Sequence, residues 1–308
     1  MNAGSIIFKI MTGFLLLLLG SGLFSFTAEK IVHRFFRNRQ AGGRVLGNLS
    51  LSLPEAILPL YAFLAPSPPE SSLSLNFSSN IGVSAILGAP LFLLLILWPV
   101  YLWKTRDSPL IESRRVQLSR ETPLLALGLA IALISGVVPS RLLHLFAGCL
   151  LIALYLGAFF LIETPRKPSD SHEQKVVPPT VRDYLLFGCS AILILAGPEI
   201  FLSGLNQLGQ SFSSSFPLFL SMGLSALATE SPEALALFFL LKRKESALGF
   251  DMIWGSISFQ MTVSLSIGLF FSRWHLLNIH VTLGGILLLT LLVSFLYSRS
   301  RYAFRGFL

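Results

Sequence analysis

Long apolar stretches alternate with short polar connections along nearly the whole chain. A helix needs about 20 apolar residues to cross the hydrocarbon core of a bilayer, and nine stretches come near that length. The pattern predicts an all-α polytopic membrane protein with about nine spans, five before a long polar connection and four after it. The predicted spans are residues 5–27, 41–65, 79–103, 122–139, 141–162, 184–206, 214–241, 247–272 and 276–298.

Two of these assignments depend on local signals. The apolar run 122–162 is divided at Pro139-Ser140-Arg141, because a proline beside an arginine is typical of a tight turn. The letters FLLLLL near the N-terminus resemble the apolar region of a signal peptide. No basic segment precedes them, so we expect this stretch to be the first span.

Lysine and arginine residues are distributed unevenly among the connections. The connections after the odd-numbered spans, together with the tail after the ninth, hold 20 of the 23 basic residues, and the even-numbered connections hold only Arg141 and Arg273. Cytoplasmic loops of membrane proteins carry such an excess of basic residues. The pattern predicts an N-terminus outside and a C-terminus in the cytoplasm.

Composition supports a membrane protein and excludes other classes. The chain of 308 residues is 53% hydrophobic and only 12% charged, with a mean hydropathy of +0.73, whereas soluble domains carry about 25% charged residues. This excludes a nucleic-acid-binding protein and a disordered chain, and the net charge of +8 reports topology. Cys149 and Cys189 lie far apart in apolar runs and the five histidines lack metal-ligand spacing, so we expect no cofactor.

Short matches between the two halves indicate an internal repeat. Gly20-Ser-Gly-Leu-Phe24 resembles Gly197-Pro-Glu-Ile-Phe201 at an offset of 177, and Ser52-Leu-Pro-Glu55-Ala56 resembles Glu230-Ser-Pro-Glu233-Ala234 at an offset of 178. Five spans, an odd number, separate equivalent positions, so the second half enters the membrane in the opposite orientation. Such inverted-topology repeats are typical of secondary transporters. The predicted units are a first membrane repeat (1–163), a cytoplasmic linker (164–183) and an inverted, shortened second repeat (184–308).

Acidic residues inside the predicted spans indicate an ion or proton path, because a carboxylate at the bilayer centre is costly. Glu55 and Glu233 follow prolines in equivalent spans, and each proline frees a backbone carbonyl in the preceding turn. Glu230 shares a helix face with Glu233. Carboxylate and carbonyl oxygens suit a hard cation such as Na⁺ or Ca²⁺. The alternative is that the acids are protonated and serve as packing contacts.

Other polar and aromatic residues receive different interpretations. Glu199 has Gly22 at the equivalent position of the first half, which favours a packing role. Asp251 lies about one turn into its span, where an interfacial surface acid is favoured. Tryptophans near span ends suit the interfacial belts of membrane proteins; these are Trp98, Trp103, Trp254 and Trp274.

The two Pro-Glu motifs resemble the α-repeats of the sodium/calcium exchanger family, the calcium/cation antiporters. The family pattern is G-T-S-x-P-E, followed in the next span by G-N-x-x-G-S-N-x-x-N. Ser52-Leu53-Pro54-Glu55 and Ala228-Thr229-Glu230-Ser231-Pro232-Glu233 are similar to its first part, and Ser78-Ser79-Asn80 is similar to G-S-N. The second half also resembles a bacterial branch that reads A-T-E-L-P-E and then G-x-M-V-F-Q, matched here by Gly255-Ser256-Ile257-Ser258-Phe259-Gln260.

The resemblance implies a Na⁺- or H⁺-coupled exchanger of Ca²⁺ or another cation, in the cytoplasmic (inner) membrane of a prokaryote. In the family the two motif glutamates bind the ion from facing repeats, and they match Glu55 and Glu233. The implied partners are the lipid bilayer and small cations, with no nucleic acid and an oligomeric state left open. The other residues at motif positions are Glu230, Ser52, Thr229, Ser79, Asn80, Ser256 and Gln260.

Departures from the family pattern motivate a second hypothesis. Leu51 and Val83 replace oxygen-bearing residues of the first half, Asp251-Met252 falls where G-N would stand, and Glu230 adds an acid. The family typically has five spans per half, so a tenth helix is missing from the pattern. The alternative is a diverged, non-transporting membrane scaffold or partner subunit with this fold. An enzyme is not expected, since an intramembrane acid protease would not need symmetric Pro-Glu sites.

Overall fold

The computed structural model describes residues 3–36, 52, 54–64, 72–106, 110–138, 140–162, 179–211, 215–272 and 274–305. All regular elements within these residues are helical. Two π-helical segments, Leu93–Leu97 and Gln260–Ser264, join α3 to α4 and α9 to α10. The helices are α1 (Ala3–Phe36), α2 (Pro54–Leu64), α3 (Ser72–Phe92), α4 (Trp98–Thr105), α5 (Leu110–Ser135), α6 (Arg141–Ile162), α7 (Val181–Ser211), α8 (Ser215–Lys242), α9 (Ser246–Phe259), α10 (Leu265–Phe271) and α11 (Asn278–Arg305).

Each of the nine predicted apolar stretches contains a helical unit. Seven helices of the described residues are long and apolar enough to cross a membrane, and two apolar helices, Pro54–Leu64 and Arg141–Gly157, are shorter. The predicted division of the run 122–162 is confirmed, because α5 ends at Ser135 and α6 begins at Arg141. Residues 41–51 of the predicted second span and 163–178, which include most of the predicted linker, lie outside the described residues.

The helices pack in two groups around separate apolar cores. One core joins α1, α2, α3, α7 and α8. The larger core joins α3, α4, α5, α6, α8, α9, α10 and α11. Helices α3 and α8 contribute to both cores, so they connect the two groups. Many large apolar side chains stay exposed on the outside of the bundle, for example Phe8, Leu142 and Ile192, as expected for a surface that faces lipid tails.

The larger core contains an aromatic cluster of Trp98, Tyr101, Phe250 and Trp254, with ring centroids 5.4 to 6.2 Å apart. Tyr101 donates a hydrogen bond to the Ser246 carbonyl, which ties α4 to α9. The prediction of an interfacial tryptophan belt is therefore wrong for Trp98 and Trp254, and also for Trp274, because packing against other helices buries them. Trp103 remains exposed.

Helices α1 and α7 cross at very close range. Their glycines are spaced by seven residues on each helix, at Gly13 and Gly20 on α1 and at Gly197 and Gly204 on α7. A Cβ atom on Gly13 would lie 2.4 Å from the backbone nitrogen of Phe201, and one on Gly197 would lie 3.1 Å from that of Leu17. Small residues at membrane helix crossings allow such an approach, so this pair packs backbone against backbone.

Gly13→Ala should destabilise the crossing, because the added methyl group meets backbone atoms that cannot move aside without separating the helices. We expect a cost of about 1–3 kcal/mol, seen as a lower thermal midpoint in detergent. Gly188→Ala is the matched control on α7, since a Cβ there has no neighbour within 4 Å. Its midpoint should be unchanged or slightly raised. Equal midpoints for the two variants would contradict the close crossing.

Candidate functional site

Three glutamates that are distant in the sequence meet inside the bundle. Glu55 comes from α2, and Glu230 and Glu233 come from α8. One carboxylate oxygen from each lies within 4.8 Å of the others, and all three side chains are buried. We call this group the three-carboxylate cluster.

Proline determines how both site helices present these acids. Pro54 opens α2, where a proline suits the first helical position, and it places Glu55 in the first turn. Pro232 lies inside α8 between Glu230 and Glu233. Because Pro232 has no N–H, the carbonyl of Ala228 cannot make its usual bond within the helix. Pro232 therefore frees a backbone carbonyl two residues before Glu230, as predicted for the second half.

Gln260 connects the two halves of the cluster. Its Nε2 donates to Glu55 Oε2 and, over 2.8 Å, to Glu230 Oε1, and it lies 3.3 Å from Ser256 Oγ. Ser256 Oγ is in turn 3.2 Å from Ser52 Oγ. The π-helical segment begins at Gln260, and such local widening of a helix is frequent at functional sites.

Five buried oxygens around the cluster have no hydrogen-bond partner in the described part of the chain. They are Glu55 Oε1, Glu230 Oε2, Glu233 Oε1, Glu233 Oε2 and Gln260 Oε1. A buried polar atom without a partner is costly. Calcium takes six to eight oxygen ligands from carboxylates and amide carbonyls. The donor set therefore fits a hard cation.

The surroundings of the remaining predicted site residues vary, and their role stays a prediction. Thr229 is buried, but its Oγ1 donates to the Ser225 carbonyl of its own helix, at 3.0 Å. Ser79 and Asn80 are half-buried on α3. Val83, at the position of the motif's final Asn, is buried in the apolar core. Leu51 lies outside the described residues.

The two other membrane acids are not part of the cluster. Glu199 is exposed on α7. Asp251 accepts a hydrogen bond from Arg114 Nη2 at 2.8 Å, and the Arg114 guanidinium also lies 5.4 Å from the centroid of the Phe250 ring. Asp251 thus forms a largely buried ion pair that joins α9 to α5. The sequence had favoured an acid at the membrane surface.

Sequence reasoning gave no role to Ser21. Its Oγ donates to the carbonyl of Ala228, the one that Pro232 leaves without a partner, at 2.8 Å. The available signal was its place in the repeated segment Gly20-Ser-Gly-Leu-Phe24. The spacing of residues along α1 does not reveal which helix lies opposite, so the contact could not be found without the tertiary structure.

Comparisons with known proteins agree with this architecture. The family model described as sodium/calcium exchanger protein matches residues 5–162 and again 183–305. A crystal structure of an H⁺/Ca²⁺ exchanger, CAX, is similar with a TM-score of 0.67 and 15% identity, covering 97% of this chain and 82% of that chain. A search of curated protein sequences returns no match.

Structures of the sodium-calcium exchanger NCX_Mj are also similar. The form soaked with 10 mM Na⁺ and zero Ca²⁺ gives a TM-score of 0.52 at 16% identity, with 97% of this chain and 92% of that chain covered. The form soaked with 2.5 mM Na⁺ and 0.1 mM Sr²⁺ gives 0.54 at 16% identity, with 96% and 92% covered. At these identities the likeness supports the fold, an all-helical bundle shared with two exchangers.

Replacing Gln260 with leucine should destabilise the protein when no divalent cation is added. The change removes the Gln260 N–H groups that donate to Glu55 and Glu230. Each buried carboxylate oxygen left without a donor costs about 1–3 kcal/mol of folding stability. The thermal midpoint in a chelator-containing buffer measures the loss. Ser258→Ala, on the same helix but outside the hydrogen-bonded network, is the control. Equal midpoints for both variants would show that Gln260 does not hold the cluster together.

Proposed function

The chain belongs to the sodium/calcium exchanger protein family, and on that basis we propose that it is a cation antiporter that exchanges Ca²⁺ or a similar divalent cation for Na⁺ or H⁺. The family consists of exchangers, so we treat the chain as a transporter and not as an enzyme. The three-carboxylate cluster is the proposed binding site. The partners that this function requires are the lipid bilayer around the protein and the transported cations.

The observation that carries the proposal is the set of five unpartnered oxygens around Glu55, Glu230, Glu233 and Gln260. A bound cation would give all of them a partner at once. The cation would also replace the hydrogen bonds that the Gln260 amide donates to Glu55 and Glu230. Rotation of the Gln260 amide would then turn Oε1, a neutral ligand, toward the ion.

The charge of the cluster supports coupled exchange. Three carboxylates carry three negative charges when ionised, and one divalent cation neutralises two of them. Like charges this close in a low-dielectric interior repel strongly. With the divalent cation bound, the third carboxylate therefore requires one proton or one monovalent cation. Without the divalent cation, the cluster requires more protons or monovalent cations to balance its charge. Binding of Ca²⁺ then displaces part of the H⁺ or Na⁺ that the empty site holds, and this competition is the requirement for antiport.

Alternating access follows from the way the helices pack. Helices α2, α3, α8 and α9 contribute the predicted site residues and form the proposed ion path. Helices α1 and α7 pack closely on each other, which suits a pair that moves as one body. We propose that this pair rocks across the site helices, as in transporters built from inverted repeats.

Uptake of ⁴⁵Ca²⁺ into proteoliposomes tests the function. With an imposed Na⁺ or pH gradient, the wild-type protein should accumulate Ca²⁺, and the gradient that drives uptake identifies the coupling ion. A Glu55→Gln/Glu233→Gln double variant should lose more than about 100-fold in rate, because it removes two charged ligands, whereas altering groups that merely orient ligands costs 10- to 100-fold. Glu199→Gln is the matched control, because its acid is exposed and outside the cluster.

Two outcomes would contradict this mechanism. Full uptake by the double variant would remove the cluster from the ion path. No uptake by wild type under either gradient would favour the non-transporting scaffold, and calorimetry would then show whether a cation still binds.

We further propose nine spans with the N-terminus outside and the C-terminus in the cytoplasm of a prokaryotic inner membrane. The excess of lysine and arginine in alternate connections supports this orientation. The two family matches, one on each side of residues 163–182, support the two-repeat organisation.

Cysteine labelling in a Cys149→Ser/Cys189→Ser background tests the topology. Val137→Cys, an exposed position in the turn between α5 and α6, should react with a membrane-impermeant maleimide in intact cells. Ser169→Cys, in the predicted cytoplasmic linker, should react only after permeabilisation. The reverse pattern would invert the proposed orientation.

A further inference from the structure

We propose that Ser21 is a one-sided latch that holds α1 against the site helix α8 and makes the two end states of the transport cycle unequal in energy. The effect on transport rests on the proposed function, whereas the latch itself is a property of the fold. Ser21 acts through α8 and is a positioning residue.

The latch is built on the interruption at Pro232. The carbonyl of Ala228 has no N–H from Pro232 to accept, and Ser21 Oγ supplies a hydrogen bond of 2.8 Å instead. Ser21 and Ala228 are both almost fully buried, so water does not compete for this bond. The neighbouring Gly22 lies against the proline ring, since a Cβ there would be 3.9 Å from Pro232 Cγ.

The bond has unequal consequences for its two partners when it breaks. Ser21 Oγ is also 3.2 Å from the Leu18 carbonyl of its own helix, so the hydroxyl keeps an acceptor if α1 moves away. The Ala228 carbonyl loses its donor. Ala228 precedes Thr229 and Glu230 in the same helical turn, and movement of α1 is therefore linked directly to the backbone of the binding site.

The internal repeat makes the latch one-sided. The alignment of Gly20-Ser-Gly-Leu-Phe24 with Gly197-Pro-Glu-Ile-Phe201 places Pro198 of α7 at the position of Ser21. Proline carries no hydroxyl, so Pro198 cannot donate the equivalent bond to the first half. In an inverted-repeat transporter the two halves exchange roles between the end states. A contact that only one half can make adds free energy to one state and shifts the populations.

The simpler explanation is that Ser21 only stabilises the fold. Ser25, one turn further along α1, separates the two explanations. It is also buried, but its Oγ has no hydrogen-bond partner in the described part of the chain. Ser25→Ala therefore removes a buried hydroxyl from the same helix without touching the latch.

Spin-label distance measurements test the latch without requiring transport. In the Cys149→Ser/Cys189→Ser background, labels are attached at Leu15→Cys on α1 and Leu235→Cys on α8, both exposed positions. Ser21→Ala should reduce the ratio of the principal distance population to the others by about five- to tenfold, the effect expected for one buried hydrogen bond. Ser25→Ala should leave the ratio unchanged, and Ser21→Thr, which keeps a hydroxyl, should restore it.

Transport provides the second measurement. The apparent KM for Ca²⁺ at each face is measured in right-side-out and inside-out vesicles, and Ser21→Ala should change the ratio of the two KM values several-fold while Ser25→Ala does not. An unchanged distance distribution for Ser21→Ala overturns the latch. A shifted distribution in a protein that shows no transport in any form supports the latch and overturns the proposed function alone.

Discussion

The burial of three carboxylates in one small region of an apolar bundle is the constraint on which the rest of the structure depends. Glu55, Glu230 and Glu233 are removed from water and face one another. Their mutual repulsion and lost hydration are too costly to tolerate without protons, cations or donors. The amide of Gln260, at the start of a π-helical segment, relieves part of that cost through its hydrogen bonds to Glu55 and Glu230.

The second half of the chain provides most of this chemistry. It supplies two of the three carboxylates and the bridging amide of Gln260, while the first half has the apolar Val83 at the position that matches Gln260. The helix that carries Gln260 widens at that residue. The two proposed repeats therefore differ at the site, and Ser21 on α1 and Pro198 on α7 extend this difference to the helices packed against it.

The departures that motivated a non-transporting scaffold have a different meaning in the structure. The apolar side chain of Val83 joins the larger core instead of standing as a lost ligand in an open site. Glu230 adds a carboxylate that contacts the same Gln260 donor as Glu55. Under the proposed function, this added negative charge favours a divalent cargo and coupling to an ion that can balance the third carboxylate.

The sequence by itself determined the helical architecture, the division between α5 and α6 and the three acids that the structure brings together, because apolar length, proline and intramembrane charge act locally. It could not determine which helices face each other. Trp98 and Trp254 looked interfacial along the chain but are buried by neighbouring helices, and Asp251 is paired with Arg114 across 137 residues. Only the tertiary structure decided that Gln260 bridges the two halves and that Ser21 meets the carbonyl freed by Pro232, since such contacts depend on packing between distant segments.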